Sequence, residues 1–432
     1  MDSRDPEEPS TYCPLLEPRM TDATAKRAII IGGSMAGLFC GVLLRAAGWQ
    51  VDIYERAGEE LASRGAGITT HDELYAAFRV AGIALRPEMG VESLGRLVFA
   101  PDGSLLGQCE MPQMMTSWGF IYRFLRAQFP AEAYHNGYTL TALEQRADGV
   151  TACFSNGQHA RGDWLIGADG TRSTVRACVA PQIGIDYCGY FAWRGLVEEA
   201  RIPPAVQALL CNRFALNPAD CGHLLGYMVA GPNDDLRPGH RWYNWGWYRR
   251  ADAASLRAHL TDAEGQHYPL GIPHDRIRPE LVAVLRAQAA AELAPSLQAV
   301  IAATPQPFLQ GIHEVESTRM VYGRVALIGD AAFTARPHVG LGVSKAAEDA
   351  TALAQALIGE SVPRWETRRL DYGHRAVGWG RRLGSYIETP SDDPAQRATA
   401  AYYRRPDVLM WETAANEPQR YLAWANPLVT AG

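Results

Sequence analysis

The sequence predicts an α/β protein: a parallel-sheet unit suited to a dinucleotide, an interleaved β-sheet domain, and a C-terminal helical segment. Three stretches carry that expectation. The first is Ile29-Ile30-Ile31-Gly32-Gly33-Ser34-Met35-Ala36-Gly37, with Glu55 ending the next apolar run. The second is Leu165-Ile166-Gly167-Ala168-Asp169-Gly170, followed by Ser173 and Arg176. The third is Leu327-Ile328-Gly329-Asp330-Ala331-Ala332, followed by Pro337, Gly340 and Gly342. Each alone is a weak signal; in this order each supplies a different part of one dinucleotide site.

Residues 28–31 suit a buried parallel strand. Gly32 permits the sharp turn, Ser34 puts a small residue where backbone must approach a pyrophosphate, and Gly37 allows close packing of helix on strand. A helix over about 35–47 aims its free N–H groups at the phosphates, which makes Met35 and Ala36 candidate contacts. Residues 51–55 read as the second strand. Glu55 stands near the roughly 20-residue spacing expected for an acid that bonds ribose hydroxyls, and Arg56 beside it is a further candidate. This motif alone does not separate NAD from FAD. No second strand, Gly-rich turn and helix with a ribose acid is visible in the sequence.

Residues 181–318 read as an insert. Its aromatic, β-prone segments 190–197, 223–229, 241–248 and 307–316 predict a sheet. Segments 253–260 and 278–294 read as helices, the second stopped by Pro295. Tyr243, Trp245 and Trp247 alternate with Trp242, Asn244, Gly246 and Tyr248, as on the two faces of a strand. Residues 365–386 read as a long Arg-rich helix, and the Pro-interrupted remainder carries Trp411 and Trp424. The division expected is therefore a tail over 1–24, a cofactor domain over 25–180 with some segments of the second domain, the insert over 181–318, the second part of the cofactor domain over 319–360, and a helical region over 361–432.

Composition excludes several classes. A net charge of -6 gives no electrostatic case for nucleic acid. No apolar run reaches the roughly 18 residues of a membrane span. The 8 cysteines are scattered without a C-x-x-C pair, which fits thiols in a reducing, cytoplasmic setting, and no metal-ligand cluster is evident. Residues 1–24 are acidic and Pro-rich and read as a disordered tail rather than a targeting signal; Met20 is the expected initiator.

The second and third stretches resemble the FAD-dependent aromatic hydroxylases, the single-component flavoprotein monooxygenases typified by para-hydroxybenzoate hydroxylase, over about residues 25–384. Asp169-Gly170 with Ser173 and Arg176 resembles the family's Asp-Gly motif, and Gly329-Asp330-Ala331-Ala332 its Gly-Asp motif. Phe191-Ala192-Trp193-Arg194-Gly195-Leu196-Val197 and Arg336-Pro337-His338 look closest to the 2,6-dihydroxypyridine 3-hydroxylase branch. The resemblance implies a Rossmann-like FAD-binding domain with an interleaved β-sheet substrate domain. It implies FAD, reduction by NADH or NADPH, O₂, and oxygen transfer through a flavin C4a-hydroperoxide to a small electron-rich hydroxylated aromatic or heteroaromatic ring, in a monomer or homodimer. Two alternatives stay open: tailoring of a larger natural product, and a flavin reductase or redox module without oxygen transfer.

The resemblance also implies roles. Asp169 serves flavin and pyridine nucleotide, and Asp330 bonds the ribityl chain. Arg64 and Gly67 lie in a loop passing over the flavin, and Arg123 lies near it. Gly340, Leu341 and Gly342 bring a helix N-terminus to the pyrimidine edge, where it favours the anion of reduced flavin. His71, His223, Tyr227, Pro337 and His338 are the candidates for contact with substrate or for its deprotonation. Phe333 stands where many relatives carry histidine, so a histidine role does not transfer; it is expected to help wall the substrate pocket.

Overall fold

The structure is a computed structural model that describes residues 25–59, 61, 67–86, 88–219, 222–359 and 361–423. The expected tail, Met20, Arg64 and Trp424 lie outside the described residues. The first sheet has six strands in the order Val321–Tyr322, Val325–Leu327, Trp164–Gly167, Arg27–Ile31, Gln50–Glu55 and Tyr134–Asn136. All neighbours pair parallel except Val321–Tyr322 with Val325–Leu327. Ile29 and Ile30 are fully buried, as an unbroken apolar strand requires when both faces of a parallel sheet are covered. The helices Met35–Ala46 and Gly342–Ile358 pack on each other, and the meander Leu140–Arg146, Gly149–Phe154 and His159–Gly162 packs against the central strands. The register sets Ile31 beside Gly167 and Gly167 beside Leu327. The three sequence motifs thus leave the sheet side by side at one edge, where such folds bind their ligands.

The second sheet has ten strands. Its centre is Phe308–Glu316, Asp186–Glu198, Trp242–Arg250, Gly222–Val229 and Arg213–Ala219, which include the four strands expected from the aromatic segments. The alternation along Trp242–Arg250 separates two cores. Tyr243, Trp245 and Trp247 pack with Trp193 and Leu297, whereas Tyr248 packs with Tyr190 and Tyr227. The hairpin Val91–Phe99 and Leu105–Ser117 and the short strand Gly67–Thr69 join this sheet although they precede residue 180, and the two-residue strands Gly271–Ile272 and Phe333–Thr334, both on Phe308–Glu316, complete it.

Pro295 does more than stop a helix. The helix Pro279–Glu292 ends before it, and Pro295 itself opens the next, Pro295–Ala303, at a position where the missing N–H has no partner to lose. Proline likewise opens Pro394–Tyr403, Pro406–Glu412 and Pro418–Leu422. These C-terminal helices dock on their own chain. The buried guanidinium of Arg96 donates to the carbonyls of Met410 (2.9 Å), Thr413 (2.5 Å) and Ala414 (2.6 Å) and to Gln113 Oε1 (3.0 Å). Ala414 N donates to His338 O at 2.7 Å. No helix among the described residues is long and apolar enough to cross a membrane.

Candidate active site

A cavity of about 610 Å³ lies where the motif edge of the first sheet faces the second sheet. Gly32, Ser34, Met35, Ala36, Glu55, Arg56, Gly67, Asp169, Tyr227, Asp330, Pro337, Gly340 and Gly342 all line it. Residues separated by some three hundred positions are therefore brought to one wall, as the sequence motifs imply.

The first motif is held by its backbone. Gly32 has φ +106°, and a Cβ there would stand 2.3 Å from Ala168 O, so only glycine fits the turn. A Cβ on Gly37 would stand 2.0 Å from Gly32 O; helix and turn touch at that point, and Gly37 itself does not line the cavity. Glu55 accepts from Gly33 N through Oε2 and from Ala57 N through Oε1, both at 2.9 Å. The Ser34 side chain makes no cap hydrogen bond to the helix it precedes, which leaves the first-turn N–H groups open to an anion.

The second motif is a clamp. Asp169 accepts from Ser173 Oγ (2.5 Å), Thr174 N (2.7 Å) and Val175 N (3.1 Å), capping the short helix Thr174–Val179. Burial raises its pKa and these donors lower it, with burial ahead. Arg176 donates to Ala331 O (2.9 Å) and Thr171 O (2.6 Å), tying the second motif to the third. The third motif presents an open acceptor: no hydrogen bond from a described residue reaches the Asp330 carboxylate. Burial pushes its pKa up, Lys345 pulls it down and Asp349 adds to the rise. Behind it, buried Asp349 accepts from Gly329 N (3.0 Å), Lys345 Nζ (3.3 Å) and Arg369 Nε (2.6 Å).

The structure places several expected residues away from the cavity. His71 is a tether: Nδ1 meets Ser344 Oγ at 3.0 Å and Nε2 meets Ala415 O at 3.1 Å. Burial lowers its pKa to about 4. His223 hydrogen-bonds Tyr386 OH, and His338 Nε2 meets Tyr190 OH at 2.8 Å. Both rings are fully buried behind Tyr248 and held neutral, His223 by burial down to about 3, His338 by burial and then by His223, Arg336 and Arg194. Phe333 does not wall the pocket. Its strand pairs with Phe308–Glu316, and its ring lies on Gly373, where a Cβ would stand 2.4 Å away. Leu341 points into a core with Trp379, Leu383 and Leu422. Arg123 is half exposed and paired with Asp234. Gly340 adopts φ +69°, and a Cβ there would meet Thr69 Oγ1 at 2.7 Å and Ala414 Cβ at 2.8 Å, so this glycine serves the turn and the docking of the C-terminal segment. A Cβ on Gly342, by contrast, meets nothing within 4 Å: the helix N-terminus Gly342–Ile358 faces open space.

Several cavity residues were not among the sequence candidates, four of them informative. Arg194 and Tyr248 line it from adjacent strands, Arg336 from the third motif, and Ala414 from the C-terminal segment. Arg336 stands in the Arg336-Pro337-His338 motif, and Arg194 and Tyr248 lie in strands, where period-2 alternation was a usable signal. Ala414 carries none. Tyr227, stacked on Phe214 at 5.3 Å, shares the wall with Leu225, Trp245 and Ile312.

These features fit FAD. Open helix N–H groups suit the pyrophosphate, Glu55 and Asp330 suit hydroxyl-bearing chains, and the space at Gly342 suits a flat ring. A dinucleotide cradle opening on an aromatic chamber defines a flavin-dependent oxidoreductase. Residues 187–314, which form most of the sheet over the cavity, match the family described as FAD binding domain-like. The chain is 32% identical over 373 residues to 2,6-dihydroxypyridine 3-monooxygenase of Paenarthrobacter nicotinovorans, covering 84% of this chain and 92% of that one. The solved 2,6-dihydroxypyridine-3-hydroxylase from Arthrobacter nicotinovorans superposes with a TM-score of 0.80 at 31% identity, over 87% of this chain and 96% of that one. FAD-dependent urate hydroxylase of Klebsiella pneumoniae is 28% identical over 80% of this chain and 86% of its own. The chain belongs to the FAD-dependent aromatic hydroxylases and is a flavoprotein monooxygenase.

Proposed function

We propose that this enzyme hydroxylates a small, planar, electron-rich hydroxylated heteroaromatic ring, of which 2,6-dihydroxypyridine is the first probe to try. One observation carries the reading: the chamber of Arg194, Tyr227 and Tyr248 is continuous with the dinucleotide cradle, so a flat polar ring there lies next to the cofactor. When bound, FAD supplies electron transfer from NAD(P)H and activation of O₂. The chain's own residues bind and orient. The Met35–Ala46 N-terminus and Glu55 hold the adenosine side, Asp330 the ribityl chain, and the Gly342–Ile358 N-terminus the flavin's anionic edge. Tyr227 is a hydroxyl donor on the chamber wall; burial raises its pKa and Arg194 pulls it back only partly. Phe214, Leu225 and Ile312 exclude water from the reacting ring.

On this reading residues 25–180 and 319–360 serve mainly FAD, 181–318 mainly substrate, and the described part of 361–432 closes the site from behind. The enzyme works in the cytoplasm as a monomer or homodimer. The test is NADH or NADPH consumption by the FAD-loaded protein, stimulated by hydroxypyridines and phenols, with product mass one oxygen higher. Stimulation only by bulky polycyclic compounds, or consumption without oxygen in the product, overturns it.

A further inference from the structure

The quoted segment Trp193-Arg194-Gly195 is not used up by cofactor binding. Arg194 sits in the strand Asp186–Glu198 opposite Gly246. Gly246 has no side chain, and a Cβ built there meets only Trp193 O, at 4.0 Å, so the guanidinium has room over the adjacent strand. Arg194 lines the cavity, and its Nε is buried without a partner. Its charge acts on the neighbouring hydroxyls of Tyr227 and Tyr248, whose pKa values burial raises and Arg194 lowers. No carboxylate of the described residues pairs with it. Arg336, the neighbouring cation, is different: its charge is spent on Glu314 (2.9 Å) and Glu388.

A half-buried cation without a counter-ion is costly unless something supplies the negative charge. The groups around it do not. Tyr227 and Tyr248 have their pKa values raised, first by burial. His313 and His338 are held neutral, first by burial. This side of the chamber therefore carries one uncompensated positive charge and a set of neutral donors. Hydroxylated heteroaromatic rings lose a proton readily, and the resulting oxyanion pushes electron density into the ring.

We propose that Arg194 anchors an anionic oxygen of the substrate, so that the ring is bound as its oxyanion with Tyr248 held in place beside it. This rests on the proposed function and deepens it: the substrate class is an ionisable hydroxy-heteroaromatic taken in deprotonated form. The proton leaves the substrate hydroxyl for solvent before or during binding, and no residue needs to be oxidised or reduced.

The experiment titrates 2,6-dihydroxypyridine into the oxidised, FAD-loaded enzyme and reads both the flavin absorbance change and the near-ultraviolet spectrum of the bound probe. The expected spectrum in the wild-type enzyme is that of the monoanion. Arg194→Gln should weaken binding roughly tenfold to a hundredfold, the loss expected for one charge-assisted contact. Arg194→Lys, which keeps the charge without the planar fork, should fall between. FAD affinity and the melting curve of both variants should match wild type. Binding of the neutral probe by wild type overturns the proposal even if neither variant folds. So does unchanged binding in Arg194→Gln, or a parallel loss of FAD, which would assign the guanidinium to the cofactor. If wild type binds no hydroxylated heteroaromatic at all, the proposed function falls and the anchor with it; the variant results bear on the anchor alone.

Discussion

Asp330 and Glu55 are both carboxylates at the cavity wall, yet they spend their lone pairs differently. Each Glu55 oxygen already accepts a backbone N–H, whereas the Asp330 carboxylate receives none from the described residues. Asp330→Ala should therefore cost about tenfold to a hundredfold in FAD affinity, read by flavin fluorescence on titrating the apoenzyme. Glu55→Gln keeps one acceptor oxygen and should lose less; equal losses would contradict the assignment. Phe333 illustrates the opposite case. Its place after the Gly-Asp motif suggested a pocket wall, but its side chain is 1% exposed and packed on Gly373. Phe333→Ala should destabilise the fold by about 3–5 kcal/mol, as for other buried aromatic truncations, with FAD affinity per folded molecule unchanged. A variant that melts like wild type but leaks peroxide would restore the pocket reading.

At the scale of elements, the parallel strands and the aromatic strands of the insert were legible because both advertise themselves in one dimension, the first by unbroken apolar runs and the second by alternation. The hairpin Val91–Phe99 and Leu105–Ser117 was not. Its outer strand alternates weakly and is largely exposed along its first half. The docking of the C-terminal helices was equally hidden, because Arg96 recognises backbone carbonyls, which have no side-chain signature. An arginine in a strand reads as a solvated charge; here burial even lowers its pKa to about 10, and three peptide carbonyls accept from its two terminal nitrogens. Arg96→Met would leave those carbonyls without their donor, at roughly 1–3 kcal/mol for each buried group that finds no water. The expected outcome is a lower melting temperature and early proteolysis between about residues 406 and 423. Because Ala414 lines the cavity, weaker FAD retention should follow. Protease resistance equal to wild type would show that the C-terminal helices dock without Arg96.

Across the whole molecule, buried neutral histidines join elements that are far apart in sequence. His71 connects its loop to Ser344 and to Ala415, and His223 and His338 join the second sheet to Tyr386 and to the Gly-Asp segment. His71 donates from Nε2 to a carbonyl, so its Nδ1 accepts from the Ser344 hydroxyl; protonating Nδ1 breaks that bond and buries a charge. Its pKa of about 4 in the fold lies below the ordinary 6.5. The unfolded chain therefore takes up a proton, as pH falls below about 6.5, that the folded chain refuses until about 4. The stability tied to His71 is complete above that window and drains as pH falls through it. Between about pH 7 and about pH 5 the loss is about 2 kcal/mol from this residue. His223 and His338 act in the same direction, and the raised carboxyls of Asp169, Asp330 and Glu348 act against them, so the residue is tested by difference. His71→Gln keeps a donor for Ala415 and does not titrate. At fixed saturating FAD, its unfolding free energy from denaturant titration should vary less with pH than wild type by about that 2 kcal/mol. Parallel pH profiles for the two proteins would mean that His71 does not carry the acid sensitivity of the junction between the cofactor cradle and the C-terminal segment.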